Sequence, residues 1–225
     1  MILNILIFLI IFYSMTVKSR KSLHMLQQNL YNENNRYLKW LQQNKEQALK
    51  HYDTLGAILA VISLFTGNIL GKILLIISAI IYLFDSEVIK YSIMVEKAKK
   101  PLVKTARVKR QIITLYILNL LPLVIYLIFK NNARILITIA SLLLVLNYYV
   151  VYLVKLINDP IEKGIYKKFW HMAEDKLASY KDLKVIGITG SYGKTSSKNI
   201  LNEILSMDYI SHPTPKNFNT DVGLM

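Results

Sequence analysis

The chain has 225 residues, 53% of them hydrophobic, and carries 28 Lys and Arg against 14 Asp and Glu, a formal net charge of +14. Long apolar runs alternate with basic stretches, which is the composition of a membrane protein and argues against nucleic acid as the partner of all that charge. There is no cysteine, which excludes disulfides and thiolate metal sites and fits a reducing compartment.

Residues 1–17 open the chain with an apolar run. A signal peptide carries its positive charge before the apolar core, whereas here Lys18, Arg20 and Lys21 follow it. The run reads as an uncleaved transmembrane helix with its N-terminus outside. Residues 18–54 form a basic loop holding Lys18, Arg20, Lys21, Arg36, Lys39, Lys45 and Lys50. Within it, Leu23, Leu26, Leu30, Tyr37, Leu38 and Leu41, with Trp40, follow an interrupted amphipathic helix. Two readings stand open for that segment: it lies on an anionic leaflet, or it packs on a soluble domain.

Residues 55–84 are apolar again, interrupted by Thr66-Gly67-Asn68, Gly71 and Lys72. They read as a transmembrane hairpin of two short helices or as a re-entrant segment. A charge at mid-bilayer is costly, so Lys72 is expected near an interface, where it can snorkel. Residues 85–111 are a second basic loop, densest from Lys99 to Arg110, where the charge reads first as a topology determinant. Spans at 112–129 and 135–154 follow, parted by Lys130 to Arg134; Pro122 is tolerable inside a membrane helix.

Basic loops stay in the cytoplasm. Both 18–54 and 85–111 then lie inside, and the stretch between them crosses twice or dips and returns. A multi-pass cell-membrane protein of five spans is preferred over four with a re-entrant segment. Asn158-Asp159-Pro160 is expected to end the last membrane helix. Residues 158–182 read as a linker helix with Ile165, Phe169, Met172 and Leu177 on one side. The four histidines have no metal-ligand spacing.

Residues 183–225 carry the chemistry. Val185, Ile186 and Ile188 favour a strand. Gly190 and Gly193 permit a tight turn, and Ile200, Leu201, Ile204 and Leu205 recur at helical spacing. Strand, glycine turn and helix is the build of a phosphate-binding loop, with amides and the helix N-terminus facing an anion. Strict Walker spacing fails because Ile188 stands where its first glycine belongs. The shorter form, Thr189-Gly190-Ser191-Tyr192-Gly193-Lys194-Thr195, is intact and Ser196 follows. In this pattern Lys194 meets the terminal phosphates of a nucleotide and the Thr195 hydroxyl joins a Mg²⁺ shell. The site residues expected for ATP are therefore residues 189–196, with Thr195 also the metal ligand.

The run from Val185 to Ser196 resembles the ATP-binding loop of the Mur ligases, which form the amide bonds of the peptidoglycan precursor. The run from Thr214 to Gly223 resembles the Asn-rich segment of the ligase adding D-Ala-D-Ala, with Asn219-Thr220 where that segment has paired asparagines. The resemblance implies ATP-dependent ligation through an acyl phosphate, with Lys194 catalytic and Mg²⁺ required. It implies a nucleotide-linked muropeptide substrate, touched by Asn217, Asn219 and Thr220. It also implies further strands, an acidic metal ligand and a C-terminal domain, so the chain is expected to be a fragment that does not catalyse alone.

The fold expected is a mainly α-helical multi-span membrane region followed by the beginning of an α/β P-loop domain over 183–225. The competing function is a non-catalytic membrane scaffold that keeps a nucleotide-binding remnant and recruits cell-wall enzymes. A transporter fragment ranks last, since no other transporter ATPase signature occurs.

Overall fold

The computed structural model describes residues 2–95, 101–129 and 132–215. In chain order they form α1 (Ile2–Gln28), a turn over Leu30–Asn35, α2 (Arg36–Gln43), α3 (Lys45–Ala48), α4 (His51–Phe65), α5 (Asn68–Val95), α6 (Ala106–Phe129), α7 (Ala133–Val145), α8 (Asn147–Ala178) and α9 (Lys194–Leu205). The chain divides into two packing units, Met1–Pro160 and Ile161–Met225.

In the first unit three helices, α1, α5 and α6, are long and apolar enough to cross a membrane. α7 and α8 make a fourth candidate only if counted together, because they meet at an angle of 83°. This is the makeup of a membrane protein. Residues 55–84 fall on α4 and α5, which part at Thr66-Gly67. Pro122 sits inside α6, and Pro160 inside α8 without ending it. Residues 135–154, read above as one span, divide at Leu146, where α7 stops. The stretch around the break is apolar enough for a span despite Asn147, and hydropathy carries no information about direction.

Two hydrophobic cores form in this unit. The first joins α1, α4, α5 and α7 through Phe8, Ile11, Ala60, Leu75, Tyr82 and Ile137. Lipid tails are as apolar as these side chains, so close packing and polar contacts hold such helices together. Gly56 shows how close: a Cβ there would lie 2.7 Å from the Tyr82 ring. Ser78 Oγ donates to the Gly56 carbonyl at 2.9 Å, and Thr138 Oγ1 to the Ala60 carbonyl at 3.0 Å.

The second core gathers Leu23 and Leu26 of α1, Tyr37 and Leu41 of α2, and Val151 and Val154 of α8. Leu23, Leu26, Tyr37 and Leu41 of the first loop's amphipathic face are thus buried within the unit itself, while Leu30 is exposed. Tyr37 donates to the Tyr148 carbonyl at 3.0 Å. Burial holds its phenol above the ordinary value, so it stays a donor.

Between the cores lies a belt of buried polar groups. Lys18 of α1 pairs with Asp53 of α4, both almost wholly buried, and Lys50 pairs with Asp85 of α5 at 2.7 Å. Ser22 donates to Asn147 Oδ1 at 2.7 Å, and Asn147 Nδ2 donates to Ser19 at 2.9 Å. Burying charge without a partner is prohibitive, and here each buried charge has one. At the opposite end of the α4–α5 hairpin, Arg134 Nη1 donates to the carbonyls of Ser63 and Thr66 and Nη2 to Asn68 Oδ1. One guanidinium satisfies carbonyls at the C-terminus of α4, which a helix end otherwise leaves to water. Lys72 is exposed.

No strand occurs among the described residues of the second unit or anywhere else among the described residues. This overturns the α/β expectation. Residues 183–190 lack a helix, and residues 209–212 are likewise irregular. β-Branched residues favour an extended chain, but a strand exists only through a ladder to a neighbour, and neither segment has one. The unit consists of the second half of α8, an irregular connection and α9, and none of its described residues is buried.

Candidate phosphate-binding turn

Gly193 is the pivot of the site. It adopts φ +76°, ψ −4° and forms the N-cap of α9. That left-handed conformation costs an L side chain roughly 1–2 kcal/mol, which is why the turn takes glycine. Gly190 is also at positive φ, +155°. Between them Ser191 and Tyr192 form the bend, and Tyr192 is almost fully exposed.

Lys194 begins α9 and its Nζ donates to the carbonyl of Gly190, closing the turn on itself. The ammonium is held over the loop. Thr195 and Ser196 occupy the first turn of the helix. The first bond of the α9 ladder runs from Ser197 N to the Gly193 carbonyl at 2.8 Å. Gly193 has no side chain to cap the helix, and the positive end of the helix dipole faces the turn.

The structure therefore brings Gly190, Gly193 and Lys194 together, with Thr189, Ser191 and Tyr192 in the same bend and Thr195 and Ser196 at the helix start. Asn217, Asn219 and Thr220 lie outside the described residues. The segment leading to them runs along α9: Ser211 donates to Asn202 Oδ1 at 2.6 Å and Lys198 Nζ to the Thr214 carbonyl at 2.6 Å. Lys198 is a residue that motif reasoning did not select. Its signal is position, one helical turn beyond Lys194 and on the same face.

Among the described residues no group of three His, Cys, Asp or Glu is placed to hold a metal ion. Mg²⁺ is held through a few protein oxygens together with substrate phosphates, and a lone threonine hydroxyl fits that pattern as one ligand.

No family model matches the chain. A stretch of 41 residues is 46% identical to the UDP-N-acetylmuramoyl-tripeptide–D-alanyl-D-alanine ligase of Bacillus subtilis (strain 168). It covers 18% of this chain and 9% of that protein. No solved structure matches. The chain is thus similar over a short stretch to a ligase of the Mur type.

Proposed function

We propose that this chain belongs to a membrane-anchored, ATP-dependent amide ligase of peptidoglycan synthesis, with residues 189–196 as its nucleotide site. The similarity to the D-alanyl-D-alanine ligase carries the reading, and the glycine turn closed by Lys194 supports it. A phosphorylated carboxylate is attacked by an amine, and a tetrahedral intermediate collapses to amide and phosphate. The carboxylate would come from a nucleotide-linked muropeptide and the amine from D-Ala-D-Ala. In such chemistry the protein mainly positions groups and offsets charge. Lys194 would leave the Gly190 carbonyl for the transferring phosphoryl group, and Thr195 would give its hydroxyl to Mg²⁺. ATP is cytoplasmic, so the orientation that fits is N-terminus outside, with both basic loops and the turn inside.

Equilibrium binding of Mg-ATP to the full chain in lipid nanodiscs tests the site. Wild type should bind at least tenfold more tightly than Lys194→Ala. Equal binding, or none by either, removes the nucleotide reading and leaves the scaffold one. In the ligase to which the chain is proposed to belong, ATP-dependent phosphate release should require both UDP-MurNAc-tripeptide and D-Ala-D-Ala, and release without either would overturn the reaction. For orientation, Ser191→Cys should react with an impermeant maleimide only from the cytoplasmic side.

A further inference from the structure

The belt of polar groups sets a level in the first unit, and α8 begins at that level. α7 has 13 residues, about 20 Å of helix, against a hydrocarbon thickness of roughly 30 Å. Its last turn leads to Asn147, which is bonded to Ser19 and Ser22 in the belt. Directly beyond stand packed aromatic rings. Tyr37 lies 5.9 Å from Trp40 and 6.2 Å from Tyr152, and Trp40 lies 5.6 Å from Tyr148, between centroids. Tryptophan and tyrosine collect where hydrocarbon meets headgroups. The chain then turns by 83° instead of continuing across.

From Asn147 to Pro160 one side of α8 is packed into the unit and the other is apolar and faces outward. Tyr148, Val151, Val154 and Asn158 are buried in the unit, and Asn158 Nδ2 donates to Thr114 of α6 at 3.0 Å. On the opposite side Tyr149, Leu153, Leu156 and Ile157 follow one helical face and are each 39–50% exposed. That face continues into an apolar crevice lined by Leu118, Pro122 and Ile125 of α6, Ile139 and Leu143 of α7, and Leu153 itself. The outer surface of α8 is therefore continuous with surfaces of α6 and α7 that present only hydrocarbon. Lys155 and Asp159 pair with each other, leaving no separated charge to pull the helix into water.

We infer that the first half of α8, Asn147–Pro160, lies in the plane of the bilayer interface, with Tyr149, Leu153, Leu156 and Ile157 bound to the boundary between acyl chains and headgroups. α7 is then the short final crossing, and α8 is a lateral membrane anchor rather than the end of a span. Interfacial helices bind through such buried apolar area. This inference does not depend on the ligase reading.

The chain has no cysteine, so single nitroxide labels can be placed with no native cysteine to remove first. Tyr149→Cys, Leu153→Cys, Leu156→Cys and Ile157→Cys, labelled in vesicles of phosphatidylcholine and phosphatidylglycerol, should report depth from their relative accessibility to oxygen and to a water-soluble nickel chelate. All four should lie within about 3 Å of one depth near the headgroups, whereas a helix crossing the bilayer would move by about 12 Å from residue 149 to 157. Labels at Ile113, Ile117, Leu120, Val124 and Leu127 of α6 serve as the reference in the same protein. Their depth should rise and fall along the helix, which also shows that the bundle is intact. A steady change of depth along α8 would overturn the inference, as would nickel access like that of bulk water. Exclusion of both reagents would also overturn it, since a protein surface would then cover that face.

Discussion

Lys18 and Lys194 each hold their ammonium against an oxygen of the same chain, yet in opposite settings. Lys18 is 2% exposed and its partner Asp53 1%; Lys194 is exposed and its partner is a backbone carbonyl. In the first unit the ion pair sits between two hydrophobic cores and ties α1 to α4. In the second unit no described residue is buried, and the lysine closes a turn that another oxygen anion can reopen. The difference teaches what each lysine is able to do. A fully buried, paired charge is committed to the fold. A charge on a carbonyl in solvent costs little to redirect.

The sharpest break in this contrast comes from Asp53→Ala. Removing one partner of a buried pair leaves the other charge uncompensated, at about 3–5 kcal/mol. Unfolding in mixed detergent micelles, followed by Trp40 fluorescence in a Trp170→Phe background, should show that loss. Lys18→Met combined with Asp53→Leu should recover most of it, because replacing the whole pair by apolar groups is often neutral. A single mutant as stable as wild type would mean that the belt does not hold the helices. Arg134→Ala comes next. It removes three charge-assisted bonds to the hairpin end and should cost about 3 kcal/mol, since water reaches that end and partly replaces them. Arg134→Lys should fail to restore the loss, for an ammonium cannot span the same three acceptors.

Glycines make the same comparison on a smaller scale. Gly56→Ala places a methyl 2.7 Å from Tyr82, and such overpacking costs about 1–3 kcal/mol. Nothing lies within 4 Å of a Cβ built on Gly187, so Gly187→Ala should leave unfolding within about 0.5 kcal/mol of wild type. Equal effects at the two positions would erase the distinction between the units.

Much of the helical unit was legible because apolar length and breakers act locally. The break of 55–84 at Thr66-Gly67 and the helix passing through Pro122 both follow from residues read in place. The glycine turn and the presence of a helix after it were legible for the same reason, since a left-handed Gly193 and a helical stripe need only near neighbours. What escaped reading depends on partners distant in sequence. Lys18 and Lys50 look like loop charges until Asp53 and Asp85, each 35 residues on, meet them. The 83° bend at Leu146 is hidden because the stretch as a whole is apolar, and the partners of Asn147, Ser19 and Ser22, stand more than a hundred residues earlier. Val185, Ile186 and Ile188 have the chemistry of a strand, but no ladder forms on them, and propensity alone cannot supply one.

The smallest effect is expected in α9. Ile200, Leu201, Ile204 and Leu205 form a stripe, and Ile200 and Ile204 remain 58% and 57% exposed. A helix of 12 residues is near the lower limit for stability on its own, and most helical stability comes from packing a face that here packs on little. Ile204→Ala should therefore change unfolding of the full chain by no more than about 0.5 kcal/mol. Hydrogen exchange in nanodiscs gives the more telling readout. Amides of α1 and α5 in the buried cores should exchange only through large-scale opening, while those of α9 should exchange by local fraying. Mg-ATP at the turn should slow exchange in the first turns of α9 and leave α1 and α5 unchanged. Protection of α9 as strong as that of α5 without nucleotide would show that its stripe is already covered, and the contrast between a self-sufficient membrane unit and an open second unit would fail.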